Sequence, residues 1–256
     1  MMFEQQVDLA TLRPHYGTDY FQGHEYLDYQ GDRAIHEKTL LRHLRLVKRF
    51  VPRGEGLLEM GAAYGFFLEL AQSYYPDSVG VELSADAAKS AVARGLDVRT
   101  GDLLELDFDR SFAAVCLWDT IEHLPHPYET VHRAVGLLKP GGYMFLTTGD
   151  FGAWLPRLQG LRWRQIHPPT HLFYFTRRSL DRLCLRCGLV VLEFGTVSVF
   201  RRLRSSLRSL DQFHANTLPG RLAKAALRIL PGRLLDCGFP LNLGDTMFLV
   251  AQKPVL

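Results

Sequence analysis

Apolar and polar positions along the 256 residues change period several times, and each change marks an element. Between about Ala34 and Phe50, apolar residues recur at Leu40, Leu41, Leu44 and Val47 with basic residues between them. That spacing predicts an amphipathic helix, and Pro52-Arg53-Gly54 stops it. Short apolar runs follow at Gly56–Met60, Ser78–Val81, Asp97–Arg99, Phe112–Trp118 and Tyr143–Thr148, with helical patterns between them ending near Tyr75, Gly95 and Leu138. Ser84 is placed to cap the second of these helices. Repeated strand–helix units predict a parallel sheet with helices on both faces, with ligands bound outside the carboxyl ends of the strands.

The polar clusters fall at those ends. After the first strand the chain reads Leu57–Leu68, LLEMGAAYGFFL, an acid followed by a turn of small residues and then an apolar helix. Small residues let a ligand approach the backbone closely, and amides at a helix start supply donors. A dinucleotide loop of the form GxGxxG would place its glycines at Gly61, Ala63 and Phe66. Phe66 lacks the room that spacing needs, which disfavours a nicotinamide oxidoreductase. Glu82 lies 23 residues beyond Glu59, about where a carboxylate would accept from ribose hydroxyls. Asp102-Leu103 closes the third strand, and Asp119-Thr120-Ile121-Glu122-His123 follows the fourth.

Glu59, Gly61, Ala63 and Gly65, with Glu82 and Asp102 at the next two strand ends, resemble the cofactor loop of class I S-adenosylmethionine-dependent methyltransferases. LLKPGGYMFLTT, HPPTHLFYFTRRSLDRLCLRCGLVVLEF and GDTMFLVAQK are similar to matching segments of a bacterial small-molecule subgroup close to ubiquinone-pathway O-methyltransferases. The resemblance covers roughly residues 55–199 and 243–253. It implies a Rossmann-like α/β fold, a seven-stranded mostly parallel sheet with an antiparallel last strand, and S-adenosylmethionine as cofactor. It places Glu59 on the cofactor's amino group, Gly61, Ala63 and Gly65 around its methionine part, and Glu82 and Leu83 at the ribose. Asp102 and Leu103 fall at the adenine, and Trp118 and Asp119 complete the set. The chain then divides into an N-terminal cap or lid with a helix (1–54), the core (55–199), a basic helical insert (200–242) and the last strand (243–256).

Methyl transfer to a hydroxyl wants a positioned acceptor and a proton acceptor near neutral pH, so His171, His167 and His123 are candidate bases, with Asp119 beside them. Asp119, Glu122 and His123 also resemble the acid–acid–His set that holds a divalent ion in ubiquinone-type enzymes, although the expectation is no metal. The segment 149–175 reads as a loop over the binding face, with Trp154, Trp163, His167 and His171 as acceptor contacts. Tyr16, Tyr20 and Phe21 would serve the same role from the cap. No N/D-P-P-Y motif follows the fourth strand, which argues against methylation of nucleic-acid or protein amides and leaves nucleic acid out as a partner. The expected activity is O-methylation of a small molecule such as a sugar, quinone or polyketide intermediate. C- or N-methylation of a sugar metabolite and a silent cofactor-binding subunit are the alternatives.

Composition changes this picture at one place. Net charge is +3, yet residues 201–233 hold eight Arg or Lys against one acid, which leaves the rest of the chain at −4. Two amphipathic patterns there, Leu203/Leu207/Leu210 and Leu222/Ala226/Ile229, would pack on the sheet or on a second copy, leaving a homodimer open. Their arginines fit an anionic or lipid-linked acceptor, with peripheral membrane contact. Four cysteines and a polar, acidic N-terminus that is not signal-like lead us to expect a reducing cytoplasm. Cys184-x-x-Cys187 lies on a helical pattern and reads as core.

Overall fold

In a computed structural model the described residues are 29–213 and 216–255. Strand β4, Phe112–Trp118, is buried along all seven residues and forms the middle of the sheet, as an uninterrupted apolar run with helices on both sides should. Its side chains alternate. Val115 and Leu117 enter one core with Leu58, Val81, Met144 and Leu249. Ala114, Cys116 and Trp118 enter the opposite core with Leu44, Val47, Phe67 and Phe145. The first core is covered by helices α4 (Pro127–Gly136) and α6 (Arg177–Arg186), and the second by α1 (Arg33–Val47) and α2 (Phe66–Ala71).

The remaining strands are β1 (Leu57–Met60), β2 (Val79–Glu82), β3 (Val98–Thr100), β5 (Leu138–Gly149), β6 (Val190–Thr196) and β9 (Thr246–Gln252). They order as β3-β2-β1-β4-β5-β9-β6. Pairing is parallel up to β5, and β9 runs antiparallel to both β5 and β6. This is the seven-stranded arrangement expected. Helix α3 (Ala85–Val92) starts on Ser84, whose hydroxyl accepts from the Ala87 amide. β1 and β4 are sheet neighbours whose connections run in opposite directions, so a crevice opens between their carboxyl ends.

Two expectations change. The segment 149–175 is not all loop: Trp154–Gln159 forms helix α5 and Gly160–Arg162 a 3₁₀ turn. The insert is not only helical either. It is bracketed by a two-stranded antiparallel sheet, β7 (Val199–Arg202) with β8 (Gly238–Leu241), enclosing α7 (Leu203–Phe213), α8 (Leu218–Ile229) and α9 (Gly232–Leu235). Prolines open two of these helices: Pro219 sits in the first turn of α8, and Pro231 precedes α9. Proline's fixed φ and missing amide suit a helix start.

Candidate active site

The loop after β1 is held by backbone geometry. Gly61 and Gly65 have φ of +69° and +75°. A Cβ on Gly61 would stand 2.7 Å from Thr120 Oγ1, and one on Gly65 would stand 2.6 Å from Leu96 Cδ1. Ala63, at φ +47°, occupies the left-handed region with a side chain, at a cost of about 1 kcal/mol. The loop's amides are largely spent. Gly61 and Ala62 donate to the Val81 carbonyl, Gly65 to Ala62, and Ala63 to Glu82 Oε2 at 2.7 Å. The turn therefore offers a ligand space rather than the amide donors its sequence suggested.

Glu82, buried at the end of β2, accepts from Ala63 and, through Oε1, from the Ser84 amide at 2.7 Å. Each carboxylate oxygen retains a second lone pair. Burial raises its pKa against the pull of those amides. Glu59 is 4% exposed, and its Oε2 has no hydrogen-bond partner among the described residues. Burial first and the neighbouring Glu82 second raise its pKa well above the usual carboxylate range.

A cleft of about 170 Å³ opens between β1 and β4. Glu59, Gly61 and Ala62 line one side, and Trp118, Asp119, Glu122 and His123 the other. Arg164, Gln165, His167 and His171 come from the segment before α6, and Phe200 and Arg201 from β7. Asp119, at φ +49°, accepts from the Thr147 hydroxyl at 2.9 Å. Its side chain is reached by solvent, yet the surrounding protein raises its pKa against the fields of Arg201 and Arg164.

His123 donates from Nδ1 to the Thr170 carbonyl, and His171 from Nδ1 to the Gln165 carbonyl, each at 2.9 Å. A carbonyl can only accept, so both neutral rings carry the proton on Nδ1 and a lone pair on Nε2. The rings meet edge to face at 4.6 Å. Burial lowers their pKa values to about 4 and about 3, so both are neutral at physiological pH. His167 bonds the Arg164 carbonyl and lies 5.4 Å from the His171 ring. Ligand atoms of Glu122, His123 and His171 lie within 4.8 Å of one another. This cluster joins Glu122 and His123 to His171 and does not include Asp119.

Several expected residues stand apart from this cleft. Ala63, Gly65, Glu82, Leu83, Asp102 and Leu103 are not among its lining residues. Asp102 accepts from the Leu104 amide, and Leu103 is buried in the core. Trp154 and Trp163, expected as acceptor contacts, do not line this cleft. Trp154 is 61% exposed on the outer surface, whereas Trp163 is 2% exposed and donates to Asp245 Oδ2 at 2.7 Å. The same carboxylate holds Arg164 at 2.9 Å, so Asp245 ties the histidine-bearing segment to β9. Tyr16, Tyr20 and Phe21 lie outside the described residues. Cys184 and Cys187 are buried and free, and burial pushes the Cys184 thiol up to about 12.

The fourth wall was not foreseen. Tyr29, His36, Thr39 and His43 of the α1 region line the cleft. His43 is 4% exposed, stacks on Trp118 at 4.3 Å, and has no hydrogen-bond partner on either nitrogen among the described residues. Trp118 Nε1 is buried without a partner among the described residues as well. Burial lowers the His43 pKa to about 3. The available signal was uncharged polar residues at i, i+3 and i+7 on a helix whose other polar positions are mostly charged.

Residues 32–193 match the family model described as a methyltransferase domain. The chain is 26% identical over 136 residues to a ubiquinone biosynthesis O-methyltransferase of Albidiferax ferrireducens, covering 49% of this chain and 54% of that protein. It therefore spans about half the length of that curated relative. A Hydrogenovibrio crunogenus protein of the same name is 24% identical over 200 residues, covering 72% of this chain and 82% of its own. Among solved structures, a chain of the complex between the Haloferax volcanii Trm112 methyltransferase activator and its methyltransferase superposes with a TM-score of 0.63. It is 18% identical and covers 88% of this chain and 92% of itself, a likeness of fold.

Proposed function

Because this chain belongs to the methyltransferase domain family, we propose that it moves the methyl group of S-adenosylmethionine to an oxygen of a small molecule held in the β1–β4 cleft. The observation that carries this reading is Glu59 Oε2, a buried carboxylate oxygen that lines the cleft and has no hydrogen-bond partner among the described residues. Such an atom is costly unless a donor reaches it, and the ammonium group of the methionine part supplies one. Glu82 keeps its second lone pairs for the ribose hydroxyls, and Asp102 and Leu103 stand at the next strand end for the adenine.

The acceptor lies on the histidine side. Sulfonium methyl transfer is an in-line displacement, so holding the acceptor oxygen against the methyl group provides much of the rate. The oxygen–carbon bond forms as the carbon–sulfur bond breaks, and the hydroxyl proton leaves. Nε2 of His171 or His123 accepts that hydrogen bond. With pKa values of about 3 and about 4, these rings pass the proton on to water rather than keep it. Arg164 and Arg201 line the same side and favour an anionic acceptor. A divalent ion would be held by Glu122, His123 and His171, a nitrogen-rich set better suited to zinc or iron than to magnesium. When bound, it would polarise the acceptor oxygen. The four free cysteines suit the reducing cytoplasm we propose.

Calorimetry with S-adenosylmethionine and its demethylated product tests the reading. A charged hydrogen bond contributes about 1.5–3 kcal/mol, so Glu59→Gln should weaken binding roughly ten- to a hundredfold. Glu82→Gln is the conservative second variant, since alanine there would also orphan two amides. Tight binding of a nicotinamide dinucleotide, with none for the methyl donor, would overturn the proposal. Donor binding without turnover on any hydroxylated acceptor would favour a silent subunit.

A further inference from the structure

Two separated segments expose apolar stripes beside arginines, and both leave the sheet at the end where the cleft opens. β5 and β6 each run antiparallel to β9, so they point the same way. α5 follows the carboxyl end of β5, and β7 and α7 follow that of β6.

On α8, Leu218, Leu222, Ala225 and Ile229 are all exposed, at spacings of i, i+4, i+7 and i+11 that align on one face. The leucines and the isoleucine are 70%, 60% and 79% exposed. Gly220 and Ala223 are buried on a different face, so the helix already has its packing side and this stripe is a second apolar surface. Arg221, Lys224 and Arg228 follow at i, i+3 and i+7, along one edge of the stripe. They form no ion pair among the described residues. The α5 segment repeats the arrangement in miniature. Trp154, Leu158 and Leu161, at i, i+4 and i+7, are 61%, 76% and 75% exposed, with Arg157 and Arg162 exposed beside them.

We infer that these two segments dock the chain on an anionic lipid bilayer, with the cleft mouth facing the membrane. An apolar stripe with a cationic edge suits that interface, where apolar side chains enter the acyl boundary and arginines meet lipid phosphates. Trp at the end of such a stripe is the side chain favoured at the headgroup level. Among the described residues no helix is long and apolar enough to cross a membrane, so contact is peripheral. Resting on the methyltransferase reading, docking would bring an amphiphilic acceptor from the bilayer to Arg164 and Arg201.

The test uses the full chain in flotation with phosphatidylcholine vesicles and with phosphatidylcholine–phosphatidylglycerol vesicles. Binding is expected only to the anionic vesicles and should fall as salt is added. Trp118 and Trp163 are 9% and 2% exposed, so a blue shift of tryptophan emission on binding would report Trp154. Each basic residue at an anionic surface contributes about 1 kcal/mol, so Arg221→Gln/Lys224→Gln/Arg228→Gln should partition about a hundredfold more weakly. Leu222→Asp/Ile229→Asp should abolish flotation. All five side chains are exposed, and melting curves together with methyl-donor affinity check that both variants fold. The inference is overturned if the wild type ignores anionic vesicles or if both variants float unchanged. It is also overturned if the stripe variant changes only the oligomeric state, which would make the stripe a contact between copies. Because flotation needs neither donor nor turnover, its failure is distinguishable from failure of the proposed reaction.

Discussion

Acidifying the protein probes the unforeseen α1 wall through one side chain. His43 is 4% exposed, lacks a partner on both ring nitrogens among the described residues, and has its pKa lowered by burial to about 3. In the unfolded chain the same ring titrates near 6.5. The folded value lies below the unfolded one, so as pH falls through about 6.5 the unfolded state takes up a proton that the folded state refuses. Stability is then lost continuously down to the folded pKa. At about pH 5 the loss from this site is roughly 2 kcal/mol relative to about pH 7.5. Phenylalanine at the position would keep the stack on Trp118 and remove the titration. Urea unfolding of wild type and His43→Phe at several pH values reads the difference directly. His36, His123 and His171, also lowered by burial, titrate alike in both proteins and cancel. The gap between the two stabilities should move by about 2 kcal/mol across that range, in favour of the variant at low pH. Parallel curves would show that His43 takes up its proton equally in both states, and the dry, unpartnered ring described above would be wrong.

Two further outcomes follow from the same geometry. Gly61→Ala should lower stability by about 1–2 kcal/mol for its left-handed φ and weaken methyl-donor binding, since the new Cβ meets Thr120; wild-type affinity in calorimetry would refute this account of the loop. Replacing His171 or His123 with Gln should lower turnover with donor affinity nearly unchanged, and the wild-type rate should show no histidine limb near neutral pH. A limb near pH 6.5 that vanishes in His171→Gln would contradict the lowered pKa values.

Legibility from sequence followed the length scale of the interactions. Strand–helix alternation is a local signal, and the run at Phe112–Trp118 and the cap at Ser84 were readable because propensity, patterning and packing agree there. The cofactor loop was readable as glycines, but the use of its amides was not. Whether the Ala63 amide faces a ligand or the Glu82 carboxylate depends on a contact across 19 residues. The place of Trp163 was not legible for a similar reason. Its partner Asp245 lies 82 residues away, and a tryptophan bound that way is a brace, not a wall. The strands bracketing the insert, Val199–Arg202 and Gly238–Leu241, are four residues each and pair across a helical excursion, too short for a periodic signal.

The histidines on opposite walls of the cleft have a common physical basis. His43 on α1 and His123 and His171 on the other side are all kept uncharged by burial. The buried carboxylate of Glu59 has its pKa raised by the same desolvation. A cleft that disfavours both signs of charge on its own groups gains most from a ligand bringing a cation to Glu59 while presenting a neutral hydroxyl to imidazole nitrogen. Bringing the ammonium beside Glu59 should lower that carboxyl's pKa again. Donor binding should then release protons wherever the empty site holds one, and affinity should weaken as pH falls. On the proposed reading, an alcohol acceptor asks only for hydrogen-bond acceptors that carry no positive charge, and the neutral rings of His123 and His171 are such groups.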